Sequence, residues 1–446
     1  MTLIAFPKFI FPLIGISCFL CSCDSQKSES NQGSSESVSQ SVVESVPFKE
    51  RPPSAETRFV ELDISKSGVD FVNPIDESHE LRYLYSSSMS TGGVAIADFD
   101  GDAKPDILFA GGPVPNKLYR QTSRMQFTDV TSQAGVGGGD AWAIGCAAAD
   151  IDNDGDTDLY VCNYLSPNQL FLNKGDGTFI ESAKEWGLDF IDASHTPSFC
   201  DYDRDGDLDL YILTNRWYRP EGFPSEKTIE QGPDGRPRVI EKFERFYDAR
   251  QTGADQWTGE GHWESVVVGR PDLLCRNNGA GKFEVANKAA GITHRGHGLS
   301  ATWWDWNGDG WLDLWVGNDF QDADCLYVNR GDGTFVNVVD MAVGHTSWFS
   351  MGADFGDLNA DGLPDFLIAD MAGSNHFKQK TAMGSMSAFA WFMDNVEPAQ
   401  LMRNGLFLNA GNGRFLEGAF LSGLDSTDWT WAVRLCDFDH DGLNDA

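Results

Sequence analysis

The sequence predicts an all-β chain folded as a β-propeller of four-stranded blades, and three observations predict it. An acidic nine-residue loop, Asp150-Ile-Asp-Asn-Asp-Gly-Asp-Thr-Asp158, recurs in recognisable form six times, beginning at Asp98, Asp150, Asp201, Asp305, Asp357 and Asp437. The first five copies run directly into short apolar segments, DILFA, DLYVC, DLYIL, DLWVG and DFLIA, as expected of strands buried on both faces. A second signal (Asn116-Lys-Leu-Tyr, Asn168-Gln-Leu-Phe, Asp272-Leu-Leu-Cys, Asp324-Cys-Leu-Tyr and Asn404-Gly-Leu-Phe) precedes the next loop by 33 or 34 residues each time. The resulting repeat of about 52 residues is long enough for one four-stranded blade, and such sheets repeated radially make a propeller.

Each loop carries a carboxylate or carboxamide at positions 1, 3, 5 and 9: Asp98, Asp100, Asp102 and Asp106; Asp150, Asp152, Asp154 and Asp158; Asp201, Asp203, Asp205 and Asp209; Asp305, Asn307, Asp309 and Asp313; Asp357, Asn359, Asp361 and Asp365; Asp437, Asp439, Asp441 and Asp445. Position 7 holds Lys104, Asp156, Asp207, Trp311, Leu363 and Leu443, which share only a backbone carbonyl, so that carbonyl is the expected ligand. Such a loop surrounds a hard cation with oxygens, and Ca2+ takes six to eight of them, which gives up to six Ca2+ sites. Five loops have Gly at position 6, where the backbone turns sharply; the first has Ala103. An EF-hand opens alike but needs a bidentate Glu at position 12, where this chain has Phe109, Val161, Ile212, Val316 and Ile368. Asp-Gly loops also serve as plain polar turns. Six copies with four fixed oxygen positions favour metal.

Two strands flank each loop, and a third carries the second signal. A hairpin turn then leads to the fourth, as in Asn173-Lys-Gly-Asp-Gly-Thr-Phe179 and Asn329-Arg-Gly-Asp-Gly-Thr-Phe335. The fourth strands open at Phe127, Phe179, Phe283, Phe335 and Phe415. Up-and-down topology puts the acidic loops and these turns on one face. Insertions at about 215–270 and 372–402 then fall on the other face, where a repeat scaffold commonly builds its binding surface. The first insertion is charged and aromatic, with Trp217, Tyr218, Phe243, Phe246, Tyr247, Trp257 and Trp263; the second is Met-rich from Met383 to Met393. Packing of each insertion on its own blade is the plainer alternative. Upstream, the segment Arg58 to Asp70 resembles the strand beginning at Phe127 and is expected to complete a last blade. The sequence stops directly after the sixth loop, which reads as truncation of a larger ring.

The loops DxDxDGxxD, followed by NxLYxNxGDGTF and DVTxxAG, resemble FG-GAP/VCBS repeats. The arrangement from about Phe59 onward, including Gln231-Gly-Pro-Asp-Gly and Gln379-Lys-Thr-Ala-Met-Gly, is similar to the bacterial relatives of cartilage acidic protein, without their C-terminal ASPIC/UnbV domain. That resemblance implies an integrin-type propeller, seven-bladed when complete, with metal ligands at the positions given above.

The N-terminus suggests export. Lys8 precedes an apolar stretch, Phe9 to Leu20, and Leu20-Cys-Ser-Cys23 resembles a bacterial lipobox with Cys23 as the lipid-bearing residue. Residues 1–23 thus read as signal and lipobox, 24–50 as a Ser/Glu-rich disordered tether, and 51–446 as the propeller. The expected location is the cell envelope or outer surface as a lipoprotein, with the membrane reached through the lipid anchor alone; a cleaved signal peptide would make the protein secreted. The net charge of −34 argues against nucleic acid as a partner. The loops hold 24 of the 67 acidic residues, so the cations also relieve self-repulsion. At millimolar Ca2+ and dissociation constants of about 0.1 mM, each site adds roughly 1.5 to 2.5 kcal/mol.

Cys146 and Cys162 lie four residues outside either end of the second loop, a spacing compatible with a disulfide and equally with two buried thiols. No nucleophile, phosphate-binding glycine motif or zinc pattern stands out. His195, His297 and His345 each precede a loop, and the inter-blade connections bring all three towards the insertion face. Isolated polar residues are the plainer account of them. The expected function is therefore non-enzymatic binding of an extracellular protein or glycan at the cell surface. The alternative is an exported enzyme acting on polysaccharide through the insertion face. Convergent titratable groups there would favour the enzyme, and an aromatic patch without them the binder.

Overall fold

The computed structural model describes residues 61–446 apart from 88, 90–91, 255–260, 321, 383–389 and 439–440. Cys23, the tether, Trp257 and Asp439 therefore lie outside the described residues. Five antiparallel four-stranded sheets follow the predicted order. Blade 1 consists of Val94–Ala97, Asp106–Phe109, Lys117–Ser123 and Gln126–Asp129; blade 2 of Trp142–Ala149, Asp158–Tyr164, Gln169–Asn173 and Phe179–Glu181. Blade 3 is built from Ser194–Cys200, Asp209–Thr214, Leu273–Asn277 and Phe283–Val285. Blade 4 has Gly298–Trp304, Asp313–Asn318, Cys325–Asn329 and Phe335–Asn337, and blade 5 has Ala353–Gly356, Asp365–Ile368, Gly405–Asn409 and Phe415–Glu417. After blade 5, an isolated bridge between Cys436 and Asp445 closes the sixth acidic loop into a hairpin.

The second strand of each blade follows its acidic loop, and in blades 2 to 5 every one of its residues is buried. This is the two-sided burial that its unbroken apolar run demands. The core lies between blades. Leu108 and Leu118 of blade 1 pack with Leu159 and Phe171 of blade 2. Tyr160 and Leu170 of blade 2 meet Leu210 and Ile212 of blade 3, whose Tyr211 and Leu213 meet Leu314 and Val316 of blade 4. Trp315 and Leu326 of blade 4 pack with Phe366 and Phe407 of blade 5, whose Leu367 and Leu406 are covered by Leu435. No sheet buries its faces alone, which is why the blades must stack.

The second-signal residues lace each blade from within. The side-chain oxygen of Asn116, Asn168, Asp272, Asp324 or Asn404 accepts a hydrogen bond from the backbone N–H of Gly111, Asn163, Thr214, Asn318 or Asp370 respectively, at 2.7–3.0 Å. All five are buried. Each blade leaves through a single helical turn after its fourth strand. In blades 1, 2, 3 and 5 that turn ends in a left-handed glycine, Gly135, Gly187, Gly291 or Gly423. The first three of these glycines seat on the carbonyl of Phe179, Phe283 and Phe335 in the next blade.

The segment expected as an N-terminal strand differs from that expectation. Residues 58–60 lie outside the described residues, and Ile64–Ser67 forms a helical turn capped by Gly68, which faces the Phe127 carbonyl. Its likeness to the stretch after Phe127 is a likeness to a blade's exit turn, since Val130-Thr-Ser-Gln-Ala-Gly135 folds in the same way. The two cysteines do not bridge. Cys146 pairs in register with Val161 and Cys162 with Gly145, so successive residues point their sulfurs to opposite faces of the sheet. Both are free thiols, packed in different inter-blade clusters.

The first insertion folds as two hairpins, Ile229–Gln231 with Pro237–Val239 and Tyr247–Ala254 with Gly261–Val267. The second insertion carries two short helices, His376–Ala382 and Ala390–Asn395, and the latter packs on the Tyr247–Ala254 strand. Among the described residues no helix is long and apolar enough to cross a membrane.

Candidate metal rim and insertion-face pocket

The described residues of the six acidic loops share one hydrogen-bond frame. In each, the Asp at position 1 accepts from the backbone N–H groups of positions 5 and 6, one on either oxygen, as Asp150 does from Asp154 and Gly155. The Asp at position 5 accepts from the N–H of position 7 throughout. The Asp at position 9 is buried in the first five copies, where it accepts from the end of the third strand, as Asp158 does from Asn173 at 2.8 Å.

These bonds bring carboxylates together. Ligand oxygens of Asp98, Asp100 and Asp106, of Asp150, Asp152 and Asp158, and of Asp201, Asp203 and Asp209 lie within 4.8 Å of one another, so each of the three sets can hold a metal ion. Burial first, and neighbouring loop carboxylates after it, push Asp158 up to about 7 and Asp209 to about 8. A cation at the centre is the counter-charge that would let such groups ionise. The donor set therefore fits a hard divalent ion. In the third loop Arg276 sits 2.5 Å from Asp203 and 2.9 Å from Asp205, and in the first Arg120 pairs with Asp100, so two loops carry partial charge compensation of their own. The fourth and fifth loops differ at position 3, where the Asn307 and Asn359 amides donate to Asp309 and Asp361 at 2.9 Å.

Side chains at position 7 link neighbouring loops sideways. Asp207 accepts from Asn153 of the second loop at 2.8 Å, and Trp311 lies under the Arg204 guanidinium of the third loop at 4.9 Å. A stronger link was not legible as such. Asn173 Nδ2 donates to Phe99 O, Asn277 to Ile151 O, Asn329 to Tyr202 O and Asn409 to Trp306 O, at 2.8–3.4 Å. Each acceptor is the second residue of the preceding blade's acidic loop. The Asn that opens each of these Gly-x-Gly turns is thus a staple between blades.

Position 6 is left-handed in every loop, with φ of 86° to 95° at the glycines and 64° at Ala103. A Cβ there costs about 1 kcal/mol or more. We expect Ala103→Gly to raise stability by about 0.5–1 kcal/mol in chemical denaturation, while Gly155→Ala lowers it.

On the opposite face, the first insertion and the blade ends enclose a cavity of about 540 Å3. Its wall includes Trp217, Tyr218, Phe246 and Tyr247 from the insertion, and His297, Phe320 and Trp348 from the blades. Phe243 is buried beneath it, and Trp263 is exposed on the outer strand of the hairpin. Trp217 is held between the guanidinium groups of Arg245 and Arg270, at 4.1 and 4.3 Å. His297 is buried; its Nδ1 lies 2.5 Å from Asp322 Oδ2, and Arg250 Nη1 holds the other oxygen of Asp322 at 2.8 Å. Burial pushes the His297 ring below its ordinary pKa against the opposing pull of Asp322, and the hydrogen bonds from His297 and Arg250 hold Asp322 low despite its own burial.

The three histidines do not gather. His195 bonds Thr196, His345 bonds Arg403 at 2.9 Å, and none joins a metal cluster among the described residues. The sequence singled out His297 and the aromatic residues but not Arg216, Arg250 or Asp322. No motif marks them, because they meet only in the folded chain.

Residues 98–161, 150–212 and 305–368 match the FG-GAP-like repeat. Cartilage acidic protein 1 of Mus musculus is 26% identical over 248 residues, and that of Homo sapiens 26% over 251; each match takes in 53% of this chain. The matched parts are 38% and 37% of those relatives' length. Among solved structures, an Agrocybe aegerita lectin that recognises non-reducing terminal N-acetylglucosamine is similar at 15% identity and TM-score 0.31, over 73% of this chain and 79% of its own. The V. cholerae biofilm matrix protein Bap1 is similar at 17% identity and TM-score 0.31, over 64% and 35% respectively.

Proposed function

This chain carries FG-GAP-like repeats in a β-propeller, and we propose that it is an exported, lipid-anchored module whose rim is stabilised by Ca2+ and whose insertion face binds an extracellular protein or glycan. The observation that carries the reading is the aromatic cavity built by the first insertion, on the face away from the acidic loops. Its size is within the range of roughly 300–1,000 Å3 usual for ligand pockets. Division of labour between faces supports it as well, because ions hold the blades from one side while the other stays free to vary. The acidic loops take the role of structural sites: oxygen donors alone, closely hydrogen-bonded and part of the blade joints.

Thermal unfolding tests the rim. With about 5 mM Ca2+ the midpoint should rise well above that in excess EGTA, by the sum of sites each contributing about 1.5–2.5 kcal/mol. Asp150→Ala with Asp154→Ala should remove part of that rise. An equal midpoint in both buffers would leave the loops as turns.

One observation favours the enzymatic alternative. His297, oriented by Asp322, is held as a general base is held, and titratable groups do converge at the pocket. A glycoside hydrolase, however, flanks its bond with two carboxyl groups. The pocket wall offers Glu264, whereas Asp322 is buried and engaged by His297 and Arg250. Binding is thus the reading adopted. Incubation with a soluble acidic polysaccharide decides between the two, since unchanged chain length leaves binding, and shortening abolished by His297→Gln would establish catalysis.

A further inference from the structure

Three arginines line the pocket of a strongly acidic chain. The sequence has a net charge of −34, yet the charged residues on the pocket wall are Arg216, Arg219, Arg250 and Glu264. Two of the three cations are committed. Arg219 donates to Gly222 O at 2.8 Å and reaches Glu221, and Arg250 is paired with Asp322. Arg216 is not. Its guanidinium lies 4.7 Å from the centre of the Tyr218 ring and 5.0 Å from that of Phe320, and its buried Nε has no hydrogen-bond partner among the described residues. Asp319 interacts with it electrostatically; burial pushes that carboxyl up to about 7 against the opposing pull of Arg216.

His297 meets Phe320 edge-on, with ring centres 6.1 Å apart. It is 3% exposed, and its Nε2 is buried without a partner. Because Nδ1 faces the Asp322 carboxylate, the ring proton belongs there and Nε2 is left as an acceptor. The Trp217 indole N–H and the Tyr218 hydroxyl are likewise buried and unpartnered. The residues of the wall therefore combine an uncommitted guanidinium and several aromatic faces with three covered polar atoms that have no partner among the described residues. Covered polar atoms without partners are costly, and at a ligand-sized cavity they are candidates for groups that a bound molecule satisfies. A carboxylate matches a guanidinium fork. A hydroxyl satisfies Nε2, and the C–H face of a sugar ring lies well on aromatic rings.

We propose that the pocket holds a uronate residue of an acidic glycan, its carboxylate against Arg216 and a ring hydroxyl donating to His297 Nε2. The inference rests on the glycan-binding reading above and narrows it to one class of sugar. A neutral sugar would leave the Arg216 charge unanswered.

Titration calorimetry of the full chain in saturating Ca2+ tests this, with trigalacturonate and the neutral galactotriose as probes and inorganic phosphate as competitor. The acidic trimer should bind at least about ten-fold more tightly than the neutral one. Arg216→Gln should bring the acidic trimer down to the neutral level, and His297→Gln should weaken both trimers alike. The calcium-dependent melting of each variant shows whether it still folds. Equal affinity for the two trimers would overturn the uronate assignment and leave a glycan pocket standing. Displacement of the trimer by equimolar phosphate would reduce the site to a general anion site and overturn the assignment too. Binding of neither trimer by a chain that melts normally would remove the glycan reading together with it.

Discussion

Asn329→Ala is expected to destabilise the chain by about 3–5 kcal/mol in urea unfolding at saturating Ca2+. The side chain is 1% exposed and makes three hydrogen bonds. Its Nδ2 donates to Tyr202 O at 2.8 Å and to Leu312 O at 3.2 Å, and its Oδ1 accepts from Gly331 N at 3.0 Å. Alanine leaves the Tyr202 carbonyl without this partner in the buried joint between blades 3 and 4, at about 1–3 kcal/mol, and the Leu312 carbonyl and Gly331 N–H without it at the part-buried edge, at less. Its backbone N–H still donates to Asp313, so the blade itself keeps its pairing. Arg330→Ala, one residue on in the exposed turn, should change stability by less than about 0.5 kcal/mol. A loss below about 1 kcal/mol for Asn329→Ala would mean that the staples are dispensable.

The second large effect concerns pH. Burial pushes Asp272 up to about 7 and Asp324 to about 8 from an ordinary 3.8, against the hydrogen bonds that each accepts. Asp272 faces Tyr211 and Thr214; Asp324 faces Ser350 and the N–H of Asn318, with Asp370 raising it further. A carboxyl whose folded pKa is raised holds more protons folded than unfolded. Its contribution is full below about 4 and is lost as pH rises through 7 to 8. The other three blades carry Asn at the same position, Asn116, Asn168 and Asn404. Asp324→Asn and Asp272→Asn should therefore be more stabilising at pH 9 than at pH 5, by about 3–4 kcal/mol each. The comparison is between variant and parent at each pH in saturating Ca2+, so that titration of the acidic loops cancels. A variant equally destabilised at both pH values would show that the carboxyl is needed for its shape rather than burdened by its charge.

What the sequence disclosed divides along the range of the interaction. The acidic loops were legible because every donor lies within nine residues and position 6 needs a particular backbone. The blades followed, because an apolar run after each loop has to be buried on both faces. The Asn at the head of the Gly-x-Gly turn was visible as turn chemistry only. Its partner carbonyl is 127 residues away in the case of Asn329, and no local pattern encodes that. The second-signal residues were legible as spacing, while their lacing of the blade emerged from the hydrogen bonds. At the pocket, Trp217, Tyr218, Phe246 and Tyr247 stood out by composition. Arg216, Arg250 and Asp322 look like ordinary surface charges in the sequence, and only the fold sets them around His297. The cysteine pair stayed open between a disulfide and two thiols, since closeness along a hairpin says nothing about which face each sulfur takes; the fold leaves both free.

The exit turns have a consequence for how such a chain changes over generations. Gly135 on Phe179, Gly187 on Phe283 and Gly291 on Phe335 are the same joint used three times, and Gly68 faces Phe127 in the same manner. A unit whose fourth strand offers the receiving carbonyl and whose exit turn ends in the glycine is interchangeable with its neighbours. Duplication or loss of one unit would bring together surfaces that already fit, with no new contact to be invented. The pieces free to diverge are those outside the joint, and in this chain those are the two insertions.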